Sequence, residues 1–176
     1  MNEEIVIFQD ECGIQADLVR EQGRIQDKDG KAQKLLGQKT ATRHNKTGLI
    51  AGYVKLPDQQ CYKYIATLIF DGTCDTDTFN FWINDFLIPD VARLRITYPD
   101  KTINLVMDNV PYHKSELTKD ILAQNNINLI FQPPYSPDLN PIEPSWTHTK
   151  NDIRTQSYTT STFQEKLCNS LNSRSW

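Results

Sequence analysis

Three carboxylates stand out by their position. Asp10 follows an apolar run in "EIVIFQDECG", Asp108 closes another in "TINLVMDN", and Glu143 sits in "QPPYSPDLNPIEPSW", which holds five of the chain's nine prolines. Runs of this kind form strands covered on both faces. If the first two are neighbours in a sheet, their acids converge at its C-terminal edge, where open sheets gather functional groups. Glu143 then arrives from a later, proline-stiffened segment. Clustered carboxylates repel unless they are protonated or neutralised, and a divalent cation is the natural counter-charge. Magnesium prefers hard oxygen ligands. Two such ions about 3.5–4 Å apart activate a water or hydroxyl and stabilise the leaving oxygen of an in-line phosphoryl transfer.

Each acid also has an ordinary explanation. "DECG" and "DN" are turn sequences, in which Asp accepts backbone hydrogen bonds. Asn140, Pro141 and Glu143 fit a capping box with proline at the first helical position. Pro144 disturbs that box, because it disfavours the α conformation at Glu143 and moves the expected helix start toward residue 144.

Composition narrows the chemistry. The cysteines at 12, 61, 74 and 168 have no zinc-ligand spacing and read as reduced thiols, so a bound metal would need oxygen ligands. No stretch approaches the ~18 apolar residues of a membrane span, and the start lacks a signal-peptide pattern. A soluble, cytoplasmic protein without a membrane partner is expected. The net charge of −3 hides a basic segment. Residues 28–46 carry Lys28, Lys31, Lys34, Lys39, Arg43 and Lys46 against Asp29 alone. That segment reads as a solvated loop or as a flexible arm tracking phosphates.

The elements that must position the acids follow from periodicity. "EIVIFQ" is a first strand that a turn at Gly13 should end. "GLIAGYVKL" and "CYKYIATLIF" form a hairpin, giving three antiparallel strands in a row. Residues 77–94 carry Phe79, Trp82, Ile83, Phe86 and Leu87 at helical spacing, with Pro89 expected to end or kink the helix. "TINLVMDN" is the fourth strand. "SELTKDILAQNN" is a helix capped by Ser115, with Leu117, Ile121 and Leu122 facing inward, and "INLIFQ" is the fifth strand. A helix from Pro141 or Pro144 to Arg154 and a last one near residues 162–171 complete the chain. The expected fold is α/β, a mixed five-stranded sheet with helices on both faces.

The blocks "FQDECGI", "LVMDNVPYHKS" and "LIFQPPYSPDLNPIEPSW" closely resemble those of the DDE transposases of the mariner-like superfamily, in particular its bacterial insertion-sequence branch. The 34 residues between Asp108 and Glu143 match the spacing typical of that group. The resemblance runs from about Ile5 to Lys150 and implies a ribonuclease-H-like core, taken as residues 1–154; composition and periodicity mark residues 155–176 as a C-terminal linker and short helix. It implies Asp10, Asp108 and Glu143 as catalytic acids and ligands of two divalent ions, Mg²⁺ or Mn²⁺. The implied activity is cleavage of transposon ends and joining of the 3′-hydroxyl to target DNA. A catalytically silent DNA- or transposase-binding regulator, and a related nuclease without strand transfer, are the alternatives. Candidate DNA contacts are Lys39, Arg43, Lys46, His113, Lys150 and Arg154, although a lone histidine after a turn, as at His113, is more often a packing or hydrogen-bonding residue. Trp146 reads as a core anchor and Glu11 as a supporting residue on the opposite strand face from Asp10. The helix-turn-helix domain that family members carry is expected to be absent, so the chain reads as half of a split frame, a fragment or a decayed copy. Its expected partners are DNA, an upstream-frame helix-turn-helix protein or another transposase copy, and itself as a homo-oligomer on DNA.

Overall fold

The first apolar run does form a strand, and the strand continues past its acid. In the computed structural model, which describes residues 4–15, 22–26, 32–36, 46–134, 136–155 and 163–172, β1 spans Glu4–Gln15. Its antiparallel pairing with β4 (Lys46–Val54) continues through Asp10, opposite Ala51, and Gly13, opposite Gly48. Gly13 is therefore not the expected turn, and Asp10 is not the last residue of its strand. What ends near Asp10 is the parallel pairing with β6 (Thr102–Met107), whose last matched pair is Phe8 with Val106. Asp10 and Asp108 each lie two residues beyond that pair.

β5 (Lys63–Asp71) and β7 (Ile127–Phe131) complete a five-stranded sheet of order β5-β4-β1-β6-β7. A separate hairpin of β2 (Gln22–Gln26) and β3 (Ala32–Leu36) falls partly in the segment read as loop or arm. It carries no alternation of apolar and polar residues, which is the signal that would have marked it.

Alternation along the other strands divides the core between the two faces. Ile5, Ile7, Ile50, Ile103, Leu105 and Met107 pack against Phe79, Trp82, Ile83, Leu87, Val91 and Leu122. Cys12, Ile14, Leu49 and Ala51 pack against Ile142, Trp146, Ile153, Leu167 and Leu171. The first face is covered by α1 (Thr76–Trp82), α2 (Ile88–Thr97) and α3 (Glu116–Gln124), the second by α4 (Ile142–Thr155) and α5 (Phe163–Asn172).

Local chemistry explains where these helices begin and bend. Asp75 and Ser115 cap α1 and α3 by accepting the N–H of Thr78 and Thr118. Pro89 does not end the first long helix. A π-helical turn at Ile83–Leu87 widens the backbone just before it, which accommodates a ring that would otherwise clash one turn back. In α3, Leu117 is exposed and Thr118 takes the inward position, donating to Asn80 Oδ1 at 2.8 Å. Where β5 bulges against β4, Ala66 has φ of +50°. Its N–H donates to Asp90 Oδ2 at 2.7 Å and its carbonyl accepts the Trp82 indole N–H, so two helices pin the bulge. Among the described residues, no helix is long and apolar enough to cross a membrane.

Candidate active site

Asp10 is held by the helix on its own side of the sheet. The Trp146 indole N–H donates to Asp10 Oδ2 at 2.9 Å. Trp146 is itself fixed by burial and by stacking on Tyr64, with ring centroids 5.1 Å apart. Tyr64 reaches the same helix through Ser145 Oγ at 2.6 Å. The core-anchor reading of Trp146 holds, and its hydrogen bond to the acid is an addition that spacing alone did not reveal. Burial and the neighbouring Glu11 carboxylate push the Asp10 pKa up to about 7, with a smaller contribution from Glu143. The indole and the Glu11 backbone N–H oppose that rise.

Asp108 is held from the other side. β6 ends at Met107, and a short helical turn at Pro111–Lys114 folds back so that His113 Nδ1 meets Asp108 Oδ1 at 2.8 Å. The Val110 N–H donates to the same oxygen at 3.2 Å. His113 Nε2 contacts Glu11 Oε1 at 3.0 Å, and the ring lies 4.3 Å from Phe79. Burial alone would lower the histidine pKa, but its hydrogen bonds to Asp108 and Glu11 more than reverse this and push it up to about 9. The same histidine contact is the main cause holding the Asp108 carboxyl below its ordinary value. His113 is completely buried with both ring nitrogens engaged. Of its two readings, the structure bears out the packing and hydrogen-bonding role and not the DNA contact.

Glu143 lies in the first turn of α4, which begins at Ile142 rather than at Pro144. Pro144 is tolerated there because the missing N–H falls among the first-turn donors that have no intrahelical partner. The Glu143 N–H donates to the Asn140 carbonyl at 3.2 Å. Asn140 Oδ1 is buried without a hydrogen-bond partner among the described residues, so the expected side-chain cap is not formed. Asp108 and Glu143 line one open groove of about 540 Å³, together with Asn109, Gln132, Pro133, Pro134 and Ser136. The prolines thus form its wall. Asn109 Nδ2 ties the loop after β6 to the Gln132 carbonyl after β7 at 2.5 Å.

Among the described residues, no group of three or more His, Cys, Asp or Glu converges on one metal-sized point. In kind the donor set still fits a hard divalent cation, since it consists of carboxylates and one of them, Asp10, has its pKa raised by burial first and by its acidic neighbours second. The four cysteines are free thiols. Of the expected basic contacts, Lys150 is half-buried on α4, one turn before Arg154 on the same helix. Lys46 opens β4, and Lys39 and Arg43 lie outside the described residues.

The sequence matches the family described as DDE superfamily endonuclease over residues 5–164. The chain belongs to that family. It is 35% identical over 97 residues to an insertion element IS630 uncharacterized 39 kDa protein of Shigella sonnei, covering 53% of this chain and 28% of that protein. It is 40% identical over 47 residues to the transposable element Tcb2 transposase of Caenorhabditis briggsae, covering 27% of this chain and 17% of the transposase. Its fold is similar to that of the Mos1 mariner paired-end complex with Mn, with a TM-score of 0.63 over 96% of this chain and 53% of that one, at 16% identity. The DDE member therefore has the ribonuclease-H-like fold expected from its motifs, and it spans about half or less of the length of these proteins.

Proposed function

We propose that this DDE family member is a metal-dependent DNA strand-transfer domain. Asp10, Asp108 and Glu143 are its catalytic acids and the ligands of two divalent ions, Mg²⁺ or Mn²⁺. The observation that carries this reading is the placement of the acids. Asp10 and Asp108 stand two residues beyond the last parallel pair of neighbouring strands, Asp108 shares a groove with Glu143, and Glu143 helps to raise the pKa of Asp10.

When bound, the ions would supply Lewis acidity to a water or 3′-hydroxyl nucleophile and to the leaving oxygen. The chain's own residues set the geometry around that chemistry. Trp146 orients Asp10, His113 orients Asp108, and the groove walled by prolines leaves Glu143 open to a DNA strand. Lys150 and Arg154 on α4, with Lys39, Arg43 and Lys46, are proposed phosphate contacts. Residues 1–154 form the proposed catalytic unit and residues 155–176 its C-terminal extension. DNA, further copies of the chain and a helix-turn-helix recognition protein are its proposed partners. The family match and the transposase relatives support this reading.

The test is cleavage and end-joining of pre-nicked or terminal-repeat DNA in Mn²⁺. Wild-type chain should produce cut and joined strands, and Asp108→Ala should not. Equal product from both proteins would overturn the assignment. Cleavage without joining would point instead to a related nuclease.

A further inference from the structure

Glu11 and His113 sit outside the three acids, yet they are tied directly to one of them. β1 alternates, so Glu11 points to the same face as Ile5 and Ile7, away from Asp10. On that face Glu11 Oε1 accepts from Gln9 Nε2 at 2.9 Å and contacts His113 Nε2 at 3.0 Å. The other ring nitrogen reaches Asp108 Oδ1 at 2.8 Å. Ionised carboxylates only accept hydrogen bonds, so the ring serves both by donating from each nitrogen. Phe79, 4.3 Å away, and Tyr112, 4.6 Å away, pack against the ring. One oxygen of Asp108 is thereby taken by His113 and the Val110 N–H, while Oδ2 has no partner among the described residues.

We propose that Glu11 and His113 are positioning residues for Asp108: a clamp running from β1 through the buried imidazole to the end of β6, which fixes the carboxylate with Oδ2 left over for a cation. This inference rests on the metal-dependent reading above. Groups that orient a metal ligand in this way typically change metal affinity by about 10–100-fold when they are removed.

Isothermal titration of Mn²⁺ into the purified full chain, well below its melting point, separates this clamp from simple core filling. The amide nitrogen of Asn stands near Nδ1 of a histidine and that of Gln near Nε2, so His113→Asn keeps the donor toward Asp108 and His113→Gln keeps only the one toward Glu11. The clamp predicts that His113→Gln weakens Mn²⁺ binding tenfold or more, while His113→Asn stays within about threefold of wild type. Glu11→Gln retains an acceptor oxygen for the ring, so it serves as a variant expected to fold, and it should weaken binding by a smaller factor. Equal Mn²⁺ affinity in wild type, His113→Gln and Glu11→Gln would overturn the clamp and leave the metal reading standing. Failure of wild-type protein to bind Mn²⁺ would overturn the metal reading and the clamp with it.

Discussion

The two faces of the sheet are built for different tasks. One face packs Trp82, Phe79, Ile83 and Leu87 into a wholly buried apolar core under α1–α3. The other has a smaller core under α4 and α5, and its rim carries Asp10 held by Trp146 and Glu143 at the start of α4. The first face stabilises at about 1.5–3 kcal/mol per large side chain buried. The second also has to keep repelling carboxylates in place, which burial alone disfavours. His113 joins the two, since its ring packs on Phe79 from the apolar side and its nitrogens hold Glu11 and Asp108. A stable core on one side therefore supports strained electrostatics on the other.

The largest effect should come from the apolar face. Trp82→Ala removes a fully buried side chain and the donor that pins the Ala66 carbonyl. A loss of about 3–5 kcal/mol is expected from urea unfolding. A loss below about 1 kcal/mol would break the division of labour.

On the acidic face, Trp146→Phe keeps most of the ring packing and deletes the hydrogen bond to Asp10. It should cost about 1–3 kcal/mol and raise the Asp10 pKa further, read by carboxyl NMR titration of metal-free protein. An unchanged Asp10 titration would mean that the indole does not hold the acid.

The junction predicts a pH dependence. The His113 pKa is raised from its ordinary 6.5 to about 9, so its contribution to stability is complete below about pH 6.5 and lost as the pH rises toward 9. Asp10, raised from 3.8 to about 7, also lowers stability as the pH rises, mainly from about pH 3.8 to 7, because its ionised form is the disfavoured one in the fold. In chelator, the melting temperature should fall between pH 6.5 and 9, and His113→Gln should flatten that fall. A wild-type profile as flat as the variant's would remove the imidazolium from the account.

The smallest effect lies at the β5 bulge, across β4 from β1. Ala66→Gly relieves a left-handed backbone at the bulge but adds chain entropy to the unfolded state. A net gain below about 1 kcal/mol is expected from thermal unfolding.

Much of this arrangement was legible in the residues. Apolar runs ending in Asp10 and Asp108 gave two adjacent strands, and the capping chemistry of Ser115 gave the start of α3. What stayed hidden depends on contacts distant in sequence. Gly13 looks like a turn, yet β4 pairs through it and carries the strand on to Gln15. Pro89 looks like a helix end, yet a π turn absorbs it. Asn140 looks like a cap, yet its side-chain oxygen accepts no hydrogen bond from the described residues. The tie between Trp146 and Asp10 spans 136 positions and that between Glu11 and His113 spans 102, so no local pattern could announce either.

The central claim is that Asp10, Asp108 and Glu143 share divalent metal, and Mn²⁺ titration calorimetry on the wild-type chain and on Asp10→Ala, Asp108→Ala and Glu143→Ala tests it most directly. The account predicts saturable binding by wild type and at least tenfold weaker binding by each variant. Wild-type affinity retained in any one of the three variants would contradict it.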